Sequence, residues 1–159
     1  MTDQTPTPEL PRAPYTFHGA YTRAVDVKGR FNLPFRFRQG GPEAGVEKYV
    51  VSRGPDGGLT IHPEAVWTES FERMRTAAAG SKELRRNLRI VSRSSRVVEP
   101  DSQGRVAVSP ELLVTAGISR KVAVVGVGAY MELWDPDALA ADDSGDDALD
   151  EGFVNEFFR

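Results

Sequence analysis

The chain has 159 residues and no cysteine, so disulfides and thiolate metal sites are excluded, and the length suits one ordinary domain or two very small ones. Its formal net charge of -3 is unevenly spread, because residues 136 to 159 carry eight acids against one arginine and leave 19 basic and 15 acidic residues before them. A body near +4 with a tail near -7 suits a polyanion-binding body and a tail that is either merely solubilising or competes for the same basic surface.

No apolar run approaches the roughly 20 residues of a membrane span, and the N-terminus lacks the basic and apolar regions of a signal peptide. The expectation is a soluble cytoplasmic protein with no membrane partner. Residues 1–16 hold four prolines among Thr, Gln and Asp, too little apolar surface to offset the entropy of ordering, and read as a disordered leader. From Phe17 the pattern alternates. Tyr21 to Val25 reads as a strand, Asp26 to Gly29 as a turn and Arg30 to Leu33 as the return strand. Asp at the first position and Gly at the fourth suit a type I turn with an adjoining bulge, the glycine taking the positive φ.

Pro34 opens a short helical turn through Phe37. A strand pair follows, Lys48 to Arg53 and Leu59 to Pro63, joined by Gly54-Pro55-Asp56-Gly57-Gly58. Two amphipathic helices come next: Trp67, Phe71, Met74 and Ala78 share one face, and after a Ser81 cap so do Leu84, Leu88 and Val91. The second is the most basic stretch, with Lys82, Arg85, Arg86, Arg89 and Arg93 against Glu83 alone, and Arg96 just beyond.

The first pattern then returns. Asp101-Ser102-Gln103-Gly104-Arg105 stands 75 residues after Asp26-Val27-Lys28-Gly29-Arg30 and feeds a similar alternating strand. Ser109 reads as an N-cap, Pro110 as the first helical position and Gly117 as the stop. Lys121 to Gly126 before Met131 to Asp135 parallels Lys48 to Gly54 before Leu59 to Pro63. A unit of about 40 residues repeated twice seldom holds a core alone, so the halves should share one. Residues 140–152 read as a flexible acidic linker, and Phe153 to Phe158 as a docking tail or oligomer contact.

Little here supports catalysis. His18 and His62 are isolated, His62 being expected as a half-exposed strand residue, and no metalloprotease, nucleophile-elbow or phosphate-loop pattern appears. Gly126-Val127-Gly128 lacks the third glycine and following helix of a dinucleotide site and reads as a hairpin turn. Asp26 and Asp101 as a catalytic acid pair are disfavoured by their turn positions; Glu99 and Asp101 are the acids an enzyme reading would test first. Arg30 and Arg105 are different, since each directly follows a turn glycine at the same place in its copy. Side by side, the loops would offer two guanidiniums to one ligand, with Lys28 adding a cation and Gln103 a bidentate amide, a set suited to phosphate or to the edge of guanine. Each arginine could also simply pair with its own aspartate; the two roles are compatible.

The chain resembles the MraZ family, bacterial transcriptional regulators of the division and cell wall gene cluster built from two SpoVT/AbrB-type repeats. The likeness runs from Phe17-His18-Gly19-Ala20-Tyr21 through both D-x-x-x-R motifs, Leu33-Pro34, Arg53-Gly54-Pro55-Asp56-Gly57-Gly58-Leu59, Pro63, Trp67 and Ala116-Gly117-Ile118 to Glu132-Leu133-Trp134. It implies an α+β, mainly β fold: two tandem AbrB-like swapped-hairpin repeats forming one β-barrel with flanking helices. The division is a leader over 1–16, repeat one over 20–67, a helical connector over 68–94, repeat two over 95–138 and an acidic flexible tail over 139–159.

The same resemblance implies a DNA-binding repressor, nucleoid-associated and without cofactor. It would act as a ring-like homo-oligomer on short, direct, G-rich repeats of double-stranded DNA in its own promoter. Lys28, Arg30, Gln103 and Arg105 would contact DNA, with Asp26, Gly29, Asp101 and Gly104 organising the loops; Arg36, Arg38 and Arg86 join the candidates on charge alone. The leader, the Arg93-Ser94-Ser95-Arg96 approach and the acidic tail depart from the family pattern. The alternative is an oligomeric structural or protein-interaction module binding an acidic partner.

Overall fold

The computed structural model describes residues 17–38, 48–144 and 149–157; the expected leader lies outside them, as do residues 145–148 of the linker and Phe158 of the tail. Eight strands and five helices occur among the described residues: β1 (Phe17–Ala24), β2 (Arg30–Asn32), β3 (Tyr49–Arg53), β4 (Leu59–Pro63), α1 (Glu64–Ala78), α2 (Lys82–Ser94), β5 (Arg96–Val98), β6 (Arg105–Ala107), α3 (Pro110–Thr115), β7 (Lys121–Gly128), β8 (Met131–Trp134), α4 (Pro136–Asp143) and α5 (Glu151–Phe157). The fold is α+β and mainly strand.

All pairings are antiparallel. Six strands form one sheet in the order β1-β7-β8-β4-β3-β5, and β2 and β6 form a separate two-stranded ribbon. Among the described residues the six-stranded order has two free ends, β1 and β5, and does not close into a barrel. Most pairings join the two halves of the chain. β1 lies on β7 from Phe17 opposite Gly128 to Ala24 opposite Lys121, β5 lies on β3 from Val98 opposite Tyr49 to Arg96 opposite Val51, and β4 meets β8. Only β3–β4 and β7–β8 are local hairpins. The glycine-rich stretch at 126–128, expected as a hairpin turn, is the end of β7, and the reversal follows it, closed by a Val127 N–H donating to the Tyr130 carbonyl at 3.0 Å.

The reason for this mixing is burial. Phe31, Leu33 and Phe37 of the first half and Val106, Val108, Leu112 and Leu113 of the second pack into one cluster with Tyr49, Ile61, Val124 and Leu133, and neither half alone could withdraw its own apolar face from water. Phe37 takes the edges of two further rings, Phe17 at 5.6 Å and Tyr21 at 5.4 Å between centroids, while its carbonyl accepts the Tyr49 hydroxyl at 3.0 Å.

The Ser81 and Ser109 caps form as expected, and Asp135 adds a third. Ser81 Oγ accepts from Leu84 N–H at 3.2 Å, Ser109 Oγ from Leu112 N–H at 3.4 Å and Asp135 Oδ2 from Ala138 N–H at 3.0 Å. α1 packs on α2 and on β4, and α2 on β3. The Ser94-Ser95 pair fastens that last contact: Ser95 Oγ donates to the Val91 carbonyl at 2.7 Å, and both hydroxyls lie 3.3 Å from Ser52 Oγ on β3. α4 runs on through Asp143, so helix extends into residues that composition alone assigns to a linker.

Candidate nucleic-acid interface

The Asp26 and Asp101 loops are built by the same bonds. In the first, Asp26 Oδ1 accepts the backbone N–H of Lys28 and of Arg30, each at 2.9 Å, and Oδ2 accepts Arg30 Nε at 2.8 Å. In the second, Asp101 Oδ1 accepts the N–H of Gln103 and of Arg105, each at 2.9 Å, and Oδ2 accepts Arg105 Nε at 2.9 Å. Each loop is closed by its glycine N–H on the aspartate carbonyl, at 3.0 and 2.9 Å. Gly29 and Gly104 take φ of 76° and 77°, a left-handed conformation in which an L side chain is strained.

The bonds accepted by each carboxylate hold its proton affinity down. The backbone N–H of Arg30 pulls Asp26 below its ordinary 3.8, ahead of the Arg30 side chain, and Arg105 does the same to Asp101. Both loops therefore stay ionised at any pH near neutral. Each ion pair is about two-thirds shielded, the arginine side chains being 35% and 30% exposed. Only Nε is engaged, so among the described residues the Nη edge of each guanidinium has no partner and remains available to donate to a ligand's oxygen or nitrogen.

β2 and β6 bring the loops together. Arg30 stands opposite Ala107, Phe31 opposite Val106 and Asn32 opposite Arg105. Phe31 and Val106 point into the core, so period-two alternation puts Arg30, Asn32, Arg105 and Ala107 on the outer face. Arg30 and Arg105 are thus diagonal neighbours across the pair, a relation that separates Cα atoms by roughly 7 to 8 Å. Two reciprocal bonds extend the ribbon, Leu33 N–H to the Gly104 carbonyl at 3.1 Å and Val108 N–H to the Gly29 carbonyl at 3.0 Å. Lys28 and Gln103 sit exposed on the turns beside them.

The other charged candidates are not gathered here in the same way. Arg38 is half-buried, its guanidinium pressed against Gly104 on the second loop and 5.3 Å from the Phe35 ring, with Nε buried and unbonded. It supports the loop from beneath. Leu113 does this beneath Gly29, lying 3.2 Å from where a Cβ would stand, and is 75 positions beyond Arg38, the same offset as between the two loops. Arg36 lies in the 3-10 turn Phe35–Phe37, its side chain outside the described set. Arg86 is exposed on α2, which packs on α1 and β3 rather than on the ribbon.

Asn32 is the residue that sequence reasoning passed over. Its signal was available, since alternation from Arg30 through buried Phe31 places it outward. His62 is the opposite case: it is 8% exposed rather than half-exposed, stacked on Tyr130 at 4.5 Å and edge-on to Trp67 at 5.4 Å. The helices that cover β4 bury it, a consequence of tertiary packing that strand alternation does not carry. Glu99, the acid an enzyme reading would test, is on the surface, 3.7 Å from Lys48.

A family model described as "MraZ protein, putative antitoxin-like" matches residues 16–90 and 94–140. The chain belongs to the MraZ family. It is 39% identical over 125 residues to the "Transcriptional regulator MraZ" of Thermomicrobium roseum, covering 79% of this chain and 85% of that protein. The protein of the same name from Kineococcus radiotolerans is 40% identical over 119 residues, 75% of this chain and 80% of its own length. That of Bordetella pertussis is 31% identical over 130 residues, with coverages of 82% and 89%. MraZ is a family of transcriptional regulators, not of enzymes. Both loops, the ribbon, α1 and most of α2 fall within the matched segments, whereas α5 lies beyond them.

Proposed function

We propose that this protein is a sequence-specific DNA-binding transcriptional regulator whose reading head is the β2–β6 ribbon with its two aspartate-arginine loops. The observation that carries the reading is the pair of identically bonded loops that put Arg30 and Arg105 on one outer face, each with its Nη edge unengaged among the described residues. A two-stranded ribbon fits the major groove of B-DNA, where arginine recognises O6 and N7 of guanine and asparagine or glutamine recognises adenine. Lys28 adds a phosphate contact, and Gln103 a second amide.

In this reading the chain is two AbrB-type repeats, 20–67 and 95–138, joined by the helical connector 68–94, with each repeat's first strand carried on the other's third in a swapped-hairpin arrangement. It works in the cytoplasm at the nucleoid, as a ring-like homo-oligomer whose protomers each engage one of several direct G-rich repeats in its own promoter, so that weak contacts multiply through linkage. Its regulatory sense is repression of the division and cell wall genes. Arg38 here holds the second loop and is not itself a DNA contact.

Fluorescence anisotropy of the full chain on the duplex upstream of its own gene, against a scrambled duplex at two salt concentrations, tests the reading. Preferential binding should weaken steeply with salt, by about 0.9 in log-log slope for each phosphate neutralised. Arg30→Ala and Arg105→Ala should each abolish the preference while leaving the chain cooperatively folded, which denaturant unfolding of both variants verifies. A folded variant that kept wild-type affinity and slope would defeat the proposal and turn attention to an acidic protein partner.

A further inference from the structure

α1, α2 and the sheet enclose a groove of about 700 Å³, floored by Trp67, Met74, Ile90 and Val91 and edged by the guanidinium-bearing Arg53 and Arg73. No residue of the DNA-reading ribbon lines it. A groove that is apolar at its base and cationic at its rim calls for an amphipathic segment with acidic flanks, the helix-in-groove mode of recognition.

The chain supplies one such segment. α5 presents Phe153 and Phe157 at i and i+4, their rings 4.9 Å apart, 58% and 65% exposed, and Leu149 just before them is 69% exposed. Asp150, Glu151 and Glu156 accompany them. The helix has no buried residue, and nothing from α5 lines the groove. α5 lies outside the segments that match the MraZ family model, so a contact made by it is a feature of this chain.

We propose that α5 of one copy docks in the α1–α2 groove of a second copy, its two phenylalanines on Trp67 and Met74 and its acids on Arg53 and Arg73. A helix and a groove that lie on one chain without meeting form a head-to-tail contact between copies, the kind of interface that closes into a ring or continues as a filament. α4 packs on β7 and ends at Asp143. From Asp143 to Glu151 the eight intervening steps span at most about 26 to 29 Å, enough for α5 to leave its own surface for a neighbour's.

The test uses the full chain carrying Phe153→Ser and Phe157→Ser, both exposed and so harmless to the fold, which circular dichroism would verify. A labelled peptide of residues 149–159 should bind this variant saturably and shift the tryptophan emission in a Trp134→Phe background that leaves Trp67 alone, and the same peptide with both serines should bind about tenfold more weakly or worse. In light scattering on dilution, the wild-type assembly should persist at concentrations where the double variant has dissociated further. No saturable peptide binding would overturn the docking site. Peptide binding with identical dissociation of the two full-length proteins would overturn the contact between copies, leaving α5 on its own chain's groove. Neither readout involves DNA, so either result stands apart from the proposed promoter binding.

Discussion

Gly104 and Gly57 separate two costs that a glycine substitution can carry. Both have positive φ, 77° and 90°, yet a Cβ at Gly57 meets open space, whereas one at Gly104 would overlap the Arg38 guanidinium. Gly57→Ala should therefore lose about 1 kcal/mol from backbone strain alone. Gly104→Ala should lose more, on the order of 2 to 3 kcal/mol, because Arg38 must also leave its seat. Chemical denaturation of both variants checks the ranking, and adding Arg38→Ala to Gly104→Ala should recover part of the difference. His62 offers a second residue-level test. Burial lowers its pKa from 6.5 to about 4, so as pH falls the unfolded chain takes up the proton first. Stability is whole above about pH 6.5 and declines between there and pH 4, by about 3 kcal/mol for one group with this shift. Asp26 and Asp101, with pKa values lowered from 3.8, lose their contribution only below that window. His62→Phe, which keeps a ring against Tyr130, should flatten the decline in urea unfolding at pH 4.5 against pH 7.

At the scale of elements the ribbon is the informative unit, because three residues per strand, Arg30–Asn32 and Arg105–Ala107, suffice to fix which side chains face outward. The local parts of this were legible in the sequence: the turns from Asp and Gly spacing, the outward arginines from their position, and the helix starts from Ser81 and Ser109. Pairing was not. β1 reaches β7 across about a hundred residues of chain, and an apolar strand records that it will be buried without recording against what. The same blindness hid the burial of His62, whose cover comes from α1, and the support that Arg38 gives Gly104. Asn32 was within reach of the alternation rule, and it carries the element-level prediction. Being exposed opposite Arg105, it should be dispensable for stability, Asn32→Ala changing unfolding by less than about 0.5 kcal/mol. If it reads a base, the variant should lose roughly 1 to 3 kcal/mol of discrimination at one position of the site and leave the salt slope unchanged. Uniform weakening on all duplexes would place Asn32 at the backbone instead.

Over the whole molecule, the opposition between a basic body and an acidic tail has two physical outcomes that salt separates. Residues 145–159 carry five acids and one arginine. If they act on DNA only as a diffuse negative charge, their repulsion reaches about 30 Å at 0.01 M salt but only about 8 Å at 0.15 M. A chain ending at Ser144 should then bind promoter DNA several-fold more tightly at low salt and no differently at physiological salt, in anisotropy titrations at both. A tail that occupied the ribbon itself would behave otherwise, since a docked competitor is removed by truncation at every salt concentration and the gain would persist at 0.15 M. The apolar content of α5 favours the first outcome. Phe153 and Phe157 need a surface that excludes water, and the outer face of β2 and β6 offers Arg30, Asn32, Arg105 and Ala107, whereas the groove under α1 and α2 offers Trp67, Met74 and Ile90. An acidic segment held there by its rings keeps its charge beside Arg53 and Arg73 and off the outer face of the β2–β6 ribbon, so tail and proposed promoter need not compete.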